Sequence, residues 1–262
     1  TELNDIEGAE TVIISVGSQS LRSLLGEAPM QALRDKTVVL CMKGLEMDTG
    51  KRLSQIAGEC LDPSNNVAVW LGPGHVQEFY RGIPNCMVID SANEGVKRRL
   101  VQSFSSDLIR FYYGGDMIGN EVGAAAKNVV GIAAGFLDGV EMSSLKGALM
   151  SRGTREVARL IKAMGGSELS AYGLCHLGDY EATVFSPYSH NRQFGEAFIR
   201  HQDFHQLAEG YYTVEALMLL GRQYGVELPI CRAVHDILYE HAAPQATLQS
   251  LLRRGLRAEF DD

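Results

Sequence analysis

Five short runs rich in β-branched residues punctuate the first part of this chain, at 11–16, 37–41, 67–71, 87–89 and 108–113. Each is apolar on both faces of an extended chain, and strands of that kind belong to sheets covered on both sides, which are mostly parallel. The segments between them, 20–34 and 51–60 among them, space their apolar residues as amphipathic helices. Strand alternating with helix predicts an α/β unit whose ligands bind beyond the carboxyl ends of the strands. Two loops stand at such ends. Lys43-Gly44-Leu45-Glu46 follows the second run, and Gly72-Pro73-Gly74-His75 follows the third.

After Gly114-Gly115 the β-branched clusters stop, and the rest of the 262 residues is readable as helix and short turns. The pattern predicts helices over 116–137, 144–164, 193–199, 213–224, 229–241 and 246–252, with Pro229 suited to a first turn. The predicted organisation is therefore an α/β domain over 1–115 and an all-α domain over 116–262. No internal repeat or low-complexity segment is visible.

The most informative helix carries glycine at 119, 123, 131 and 135, and Lys127 takes the missing place in that four-residue row. Residues four apart share a helix face, so the lysine rises from a stripe without side chains, flanked by Ala124 and Ala134. Four interior glycines cost roughly 1 kcal/mol each relative to alanine, so close packing must offset them. One reading is close helix packing with the lysine reaching out to water. The other is a partly desolvated ammonium facing a cleft, where burial lowers its pKa toward neutrality and makes it a usable acid or base.

A second polar cluster runs Leu177-Gly178-Asp179-Tyr180-Glu181-Ala182-Thr183, then Ser189-His190-Asn191-Arg192-Gln193-Phe194-Gly195. Alone, these are turns, caps and solvated loops; with Lys127 they assemble a carboxylate, an ammonium and a phosphate-binding set. His201 and His205 are spaced i, i+4 but lack an acidic third ligand, so a solvated face is expected and no metal site. The 24 basic and 32 acidic side chains leave a net charge of −8, which gives nucleic acid or an anionic membrane no bulk electrostatic support. Five widely spaced cysteines, none in a CxxC pair, fit reduced thiols in a cytoplasmic protein. The most apolar window, 129–137, is too short to span a bilayer, so no membrane insertion is expected.

The residues Gly123-x-x-x-Lys127-Asn128-Val129, preceded by Lys43-Gly44-Leu45-Glu46 and Gly72-Pro73 and followed by Gly178-Asp179, Asn191-Arg192-x-Phe194-Gly195 and Glu209-Gly210, resemble the bacterial-type NAD(P)-dependent glycerol-3-phosphate dehydrogenases. The resemblance runs in order from about residue 8 to residue 252. It implies an α/β plus all-α fold, with a Rossmann-type parallel sheet domain followed by a helical substrate-binding domain. It also implies NAD or NADP as cofactor, a small phosphate substrate and a homodimer. Lys127 matches the lysine that protonates the carbonyl oxygen of dihydroxyacetone phosphate as hydride arrives. Asp179 and Lys43 match residues that orient that lysine and polarise substrate. Asn128, Thr183 and Asn191 match positions near the substrate phosphate or hydroxyls, with Ser189 and His190 in the same loop. Gly72 and Gly74 fall in the loop bordering substrate and cofactor; Val76, His190, Leu207 and Glu209 match cofactor-side positions.

Three departures shape the expectation. His190 stands where the family usually has arginine, so the phosphate meets a titratable imidazole instead of a permanent bidentate cation. His75 puts a second unexpected imidazole near the cleft. The family also opens with a GxGxxG strand–turn–helix to which nothing here corresponds. The sheet domain is therefore expected to be N-terminally incomplete, and these residues by themselves to fold without reducing substrate. A 3-hydroxyacid dehydrogenase of the related two-domain class, or a non-catalytic dimerising module, are the rival readings. The Lys127-Asn128 adjacency favours the first family.

Overall fold

In a computed structural model describing residues 6, 8–74, 76–253, 255 and 259, a five-stranded sheet is followed by a bundle of helices. The strands β1 (Thr11–Ile14), β2 (Thr37–Leu40), β3 (Asn66–Leu71), β4 (Asn85–Ser91) and β5 (Ile109–Tyr113) lie side by side in that order. β1, β2 and β3 run parallel, and every residue of β2 is buried. β4 departs from the all-parallel pattern: it pairs antiparallel with β3, and β5 runs parallel to β4. The connection from β3 to β4 holds only the helix α4 (Val76–Tyr80). A helix of that length rises roughly 7 Å, far less than the roughly 20 Å of strand it would have to retrace for a parallel crossover. The chain turns back instead.

Helices cover both faces of the sheet. On one side Leu21, Leu25 and Ile56 pack with Ile14, Leu40 and Val69. On the other, Val96 and Leu100 pack with Val39, Ile89 and Phe111. Neighbouring positions of β2 thus enter opposite cores, as period-two side chains must. The helix expected over 20–34 is broken into α1 (Leu21–Leu25) and α2 (Ala28–Gln31). Gly26 and Glu27 interrupt it, and Pro29 is tolerated because it enters the first turn of the second piece. α3 (Leu53–Cys60) follows β2, and α5 (Glu94–Phe104) follows β4, its N-terminus capped by the Asn93 side chain, which accepts from the Gly95 and Val96 N–H groups.

The helical domain is organised by α6 (Met117–Gly139), which is buried along almost its whole length. Its 23 residues carry only three charges, Glu121, Lys127 and Asp138, because a helix packed on all sides has no polar face. Asp116 caps its start by accepting from the Gly119 N–H, and Asp90 at the end of β4 accepts from the Asp116 N–H. Around it pack α7 (Lys146–Ala163), α8 (His190–Ile199), α9 (Glu209–Tyr224) and α10 (Pro229–Tyr239), with α11 (Pro244–Leu252) on α10. α8 begins earlier than its apolar spacing predicts because Ser189 caps it, accepting from the Arg192 N–H. His201 and His205 lie past the end of α8, exposed and on no common helix face; His201 has φ +54. No group of metal-ligating side chains is present among the described residues.

From Gly123 onward the glycine row is the contact surface for residues 176–196, while Gly119 faces Ser170. A Cβ on Gly135 would sit 2.1 Å from the Arg192 carbonyl oxygen, one on Gly131 would meet the Thr183 methyl at 2.8 Å, and one on Gly123 would meet His176 Cβ at 3.0 Å. Lys127 is 7% exposed, so it does not reach out to water. The five cysteines are free, and among the described residues no helix is long and apolar enough to cross a membrane.

Candidate active site

Three elements converge beyond the carboxyl ends of β2 and β3. Lys43, in the loop after β2, donates from Nζ to the Gly72 carbonyl at 2.6 Å and to Asp179 Oδ2 at 2.7 Å. Gly72 directly follows β3 with φ +125, a backbone open mainly to glycine, and a Cβ there would press on Met87 Cα at 3.1 Å. From the helical side, Lys127 lies 3.1 Å from the same Asp179 oxygen and donates to Thr183 Oγ1 at 2.8 Å. Asp179 closes a tight turn over Leu177–Asp179, and Thr183 sits in a single π-turn, Glu181–Phe185, its hydroxyl donating back to the Asp179 carbonyl at 2.7 Å. Two ammonium groups therefore share one carboxylate oxygen that is almost wholly buried.

The electrostatics follow from that geometry. Burial strips water from the Lys127 ammonium and lowers its pKa to about 8; Asp179 raises it against that trend, and Lys43 adds to the lowering. A lysine at such a value exchanges its proton near neutral pH, as an acid–base group must.

A chain of amides ties the site together across the two domains. Asn128 Nδ2 donates to the Lys43 carbonyl at 2.8 Å, Asn191 Nδ2 donates to Asn128 Oδ1 at 3.1 Å, and Asn191 Oδ1 accepts from the Gly210 N–H at 2.9 Å. One residue before Gly210, Glu209 accepts from the Ser18 N–H at 2.8 Å and from the Ser18 hydroxyl. Ser18 follows β1 and was not singled out by its sequence, although the same reading of loops after strands points to it. Leu207 is half exposed, and its Cδ2 lies 3.7 Å from where a Cβ on Gly17 would be.

Of the sequence-derived candidates, Lys43, Gly72, Lys127, Asn128, Asp179, Thr183 and Asn191 form one bonded network, and Glu209 joins it through α9. Ser189 is buried, and its hydroxyl oxygen caps α8 by accepting from the Arg192 N–H. His190 is exposed in the first turn of α8. Val76, 64% exposed, begins α4, and Gly74, φ +157, packs against the Phe79 ring. His75 lies outside the described residues.

A sheet whose strand ends face a helical domain carrying a desolvated lysine, paired to a buried carboxylate, is the arrangement of a two-domain reductase. Comparison with known proteins narrows the class. Residues 3–97 match the family model for the NAD-dependent glycerol-3-phosphate dehydrogenase N-terminus, and residues 116–249 match that for its C-terminus. Glycerol-3-phosphate dehydrogenase [NAD(P)+] of Pelodictyon phaeoclathratiforme is 33% identical over 98% of this chain and 80% of its own length. That of Thermus thermophilus is 36% identical over 97% of this chain and 79% of its own. The crystal structure of glycerol-3-phosphate dehydrogenase from Coxiella burnetii superposes with a TM-score of 0.89 at 29% identity, covering 97% of this chain and 80% of that one. The chain belongs to the NAD-dependent glycerol-3-phosphate dehydrogenase family.

Proposed function

We propose that Lys127 holds and moves the proton in this enzyme's reaction, the NAD(P)-dependent interconversion of sn-glycerol 3-phosphate and dihydroxyacetone phosphate. The family membership makes the chain an NAD(P)-dependent oxidoreductase acting on a small phosphate compound, which sets aside the hydroxyacid and non-catalytic readings. One observation carries the assignment of roles: an almost fully buried ammonium with a pKa near 8, 3.1 Å from a buried carboxylate, at the sheet's ligand-binding edge. The residues present fit a nicotinamide. Exposed Leu207 and Val76 offer apolar surface, and Gly17 leaves room at the end of β1, while the absence of a side chain at Gly44 after β2 admits Ser18, which Glu209 holds. When bound, the cofactor supplies or accepts the hydride at the substrate carbon.

In the direction of reduction, Lys127 gives its Nζ proton to the carbonyl oxygen as that oxygen gains charge, and becomes a neutral amine. In oxidation, the amine takes the hydroxyl proton back. Asp179 keeps the lysine aimed and favours its charged form, while Lys43 polarises the same oxygen. Asn128, Thr183 and Asn191, with His190 at the mouth of α8, contact the substrate's phosphate and hydroxyls, and that remote binding energy holds the reacting carbon in place. We assign residues 1–115 to cofactor binding and 116–262 to substrate binding, and infer a cytoplasmic homodimer.

Lys127→Ala tests the central role. It should lower kcat for dihydroxyacetone phosphate reduction by about a hundredfold or more while leaving nicotinamide binding nearly intact, since general acid catalysis contributes roughly 10² to 10⁴. Steady-state kinetics with a binding titration decide it, and a loss below about fivefold removes Lys127 from the chemistry.

A further inference from the structure

Directly behind the Lys127–Asp179 pair lies a buried polar chain that the reaction itself does not use. His176 and Tyr180 are both fully buried, their rings 4.9 Å apart and near perpendicular. His176 Nδ1 is 2.8 Å from the Gly123 carbonyl oxygen, and His176 Nε2 is 2.7 Å from the Tyr180 hydroxyl. The direction of this chain follows from chemistry alone. A carbonyl only accepts, so Nδ1 carries the hydrogen. The neutral ring then accepts at Nε2, and the tyrosine must donate. Burial holds the imidazole neutral, its pKa lowered to about 4, so the polarity of the chain persists across the working range of pH.

Both ends of this chain belong to the active site's framework. Gly123 is one helical turn before Lys127 on the same face of α6, and the absence of a side chain there is what admits His176, whose Cβ lies 3.0 Å from the place a Cβ on Gly123 would take. The His176 carbonyl accepts the Asp179 N–H at 3.0 Å, and Tyr180 is the next residue along. On the far side the Tyr180 hydroxyl reaches Thr154 Oγ1 of α7 at 3.4 Å, where Gly153 leaves it room. The imidazole therefore ties the backbone that bears Asp179 to the helix that bears Lys127, and the phenol fixes which ring nitrogen does so.

We propose that His176 and Tyr180 are positioning residues that set the separation of Asp179 and Lys127, acting through a hydrogen-bonded chain of fixed direction that ends on the Gly123 carbonyl. The proposal rests on Lys127 being the proton-transfer group. The charged and titratable groups that face Lys127 are Asp179 from the 177–185 segment, Lys43 from the loop after β2, and His176 itself. Loosening the chain weakens the hold of Asp179, the only one of these that favours the ammonium.

Tyr180→Phe removes one oxygen and leaves the ring in place, and His176→Asn keeps a donor for the Gly123 carbonyl but loses the acceptor for Tyr180. In the full-length enzyme each should lower the alkaline plateau of kcat for glycerol 3-phosphate oxidation, where Lys127 is already neutral, about tenfold, with KM within about twofold. Each should also displace the midpoint of the kcat–pH profile to more acidic pH. The double variant should lose no more than the worse single one, because either change breaks the same chain. Lowered thermal stability with kcat and the pH midpoint unmoved would reduce the pair to a structural role and overturn the proposal, as would losses that multiply in the double variant. The two claims fail differently. Turnover that survives Lys127→Ala refutes the proton-transfer role and the positioning with it, whereas collapse in Lys127→Ala beside an unmoved Tyr180→Phe profile refutes the positioning alone.

Discussion

Replacing Asp179 by asparagine is the most demanding test of how the site sets its proton affinity. The exchange is nearly isosteric and keeps the backbone carbonyl that receives the Thr183 hydroxyl, so its main effect is to remove one negative charge 3.1 Å from the Lys127 nitrogen. A pair at that distance is worth about 1.3 kcal/mol at the dielectric constant of water and about 5 kcal/mol at an effective value of 20. Even the lower figure corresponds to about one pH unit. Lys43, 2.7 Å from the same oxygen, loses its partner too and presses in the same direction. In the native enzyme, with Lys127 near 8, the neutral amine that glycerol 3-phosphate oxidation needs rises from about a tenth of molecules at pH 7 to about nine tenths at pH 9, so kcat should climb about ninefold. In Asp179→Asn the midpoint should lie at least about one pH unit lower, which cuts that climb to about twofold or less. Reduction of dihydroxyacetone phosphate, which needs the charged form, should conversely lose rate above pH 7. Steady-state rates at saturating substrate and cofactor across pH 6 to 10 measure both directions. A midpoint that stays in place, or moves to higher pH, would show that Asp179 does not govern Lys127 and would refute the electrostatic account.

Two further outcomes follow from the structure. His190→Arg, in the exposed first turn of α8, should lower KM for dihydroxyacetone phosphate, because guanidinium offers phosphate a bidentate, permanently charged fork; a KM unchanged in steady-state kinetics would place His190 away from the phosphate. Gly135→Ala should destabilise the fold by about 3 kcal/mol in chemical denaturation, because its new methyl meets the backbone of α8, whereas Gly147→Ala in α7, with nothing within 4 Å, should be neutral or stabilise by up to about 1 kcal/mol.

Much of this protein is legible in its sequence because the signals are local. Doubly apolar runs announce β1 to β3, and Pro229 marks a helix start. The glycine row announces a close contact before its partner is known, since interior glycines in a helix are otherwise a loss. Lys127, Asp179 and Lys43 stand out by residue type and by the company they keep in the chain. What they could not disclose is where each side chain ends. Whether Lys127 reaches water or a carboxylate depends on residues 179 and 183, some fifty positions away, and no periodicity on α6 reports that choice. The reversal at β4 depends on how far a five-residue helix carries the chain. A serine before a helix reads equally as a phosphate-side hydroxyl or as a cap, and the fold shows the capping bond, accepted from the Arg192 N–H. His176 and Tyr180 read as ordinary loop residues until burial forces every polar atom on them to find a partner. Local patterns determine which segments become strand or helix, because backbone sterics and side-chain spacing act over a few residues. Charge and hydrogen bonding in the site were decided by tertiary structure, because burial, and with it the strength of every polar contact, is a property of the packed whole.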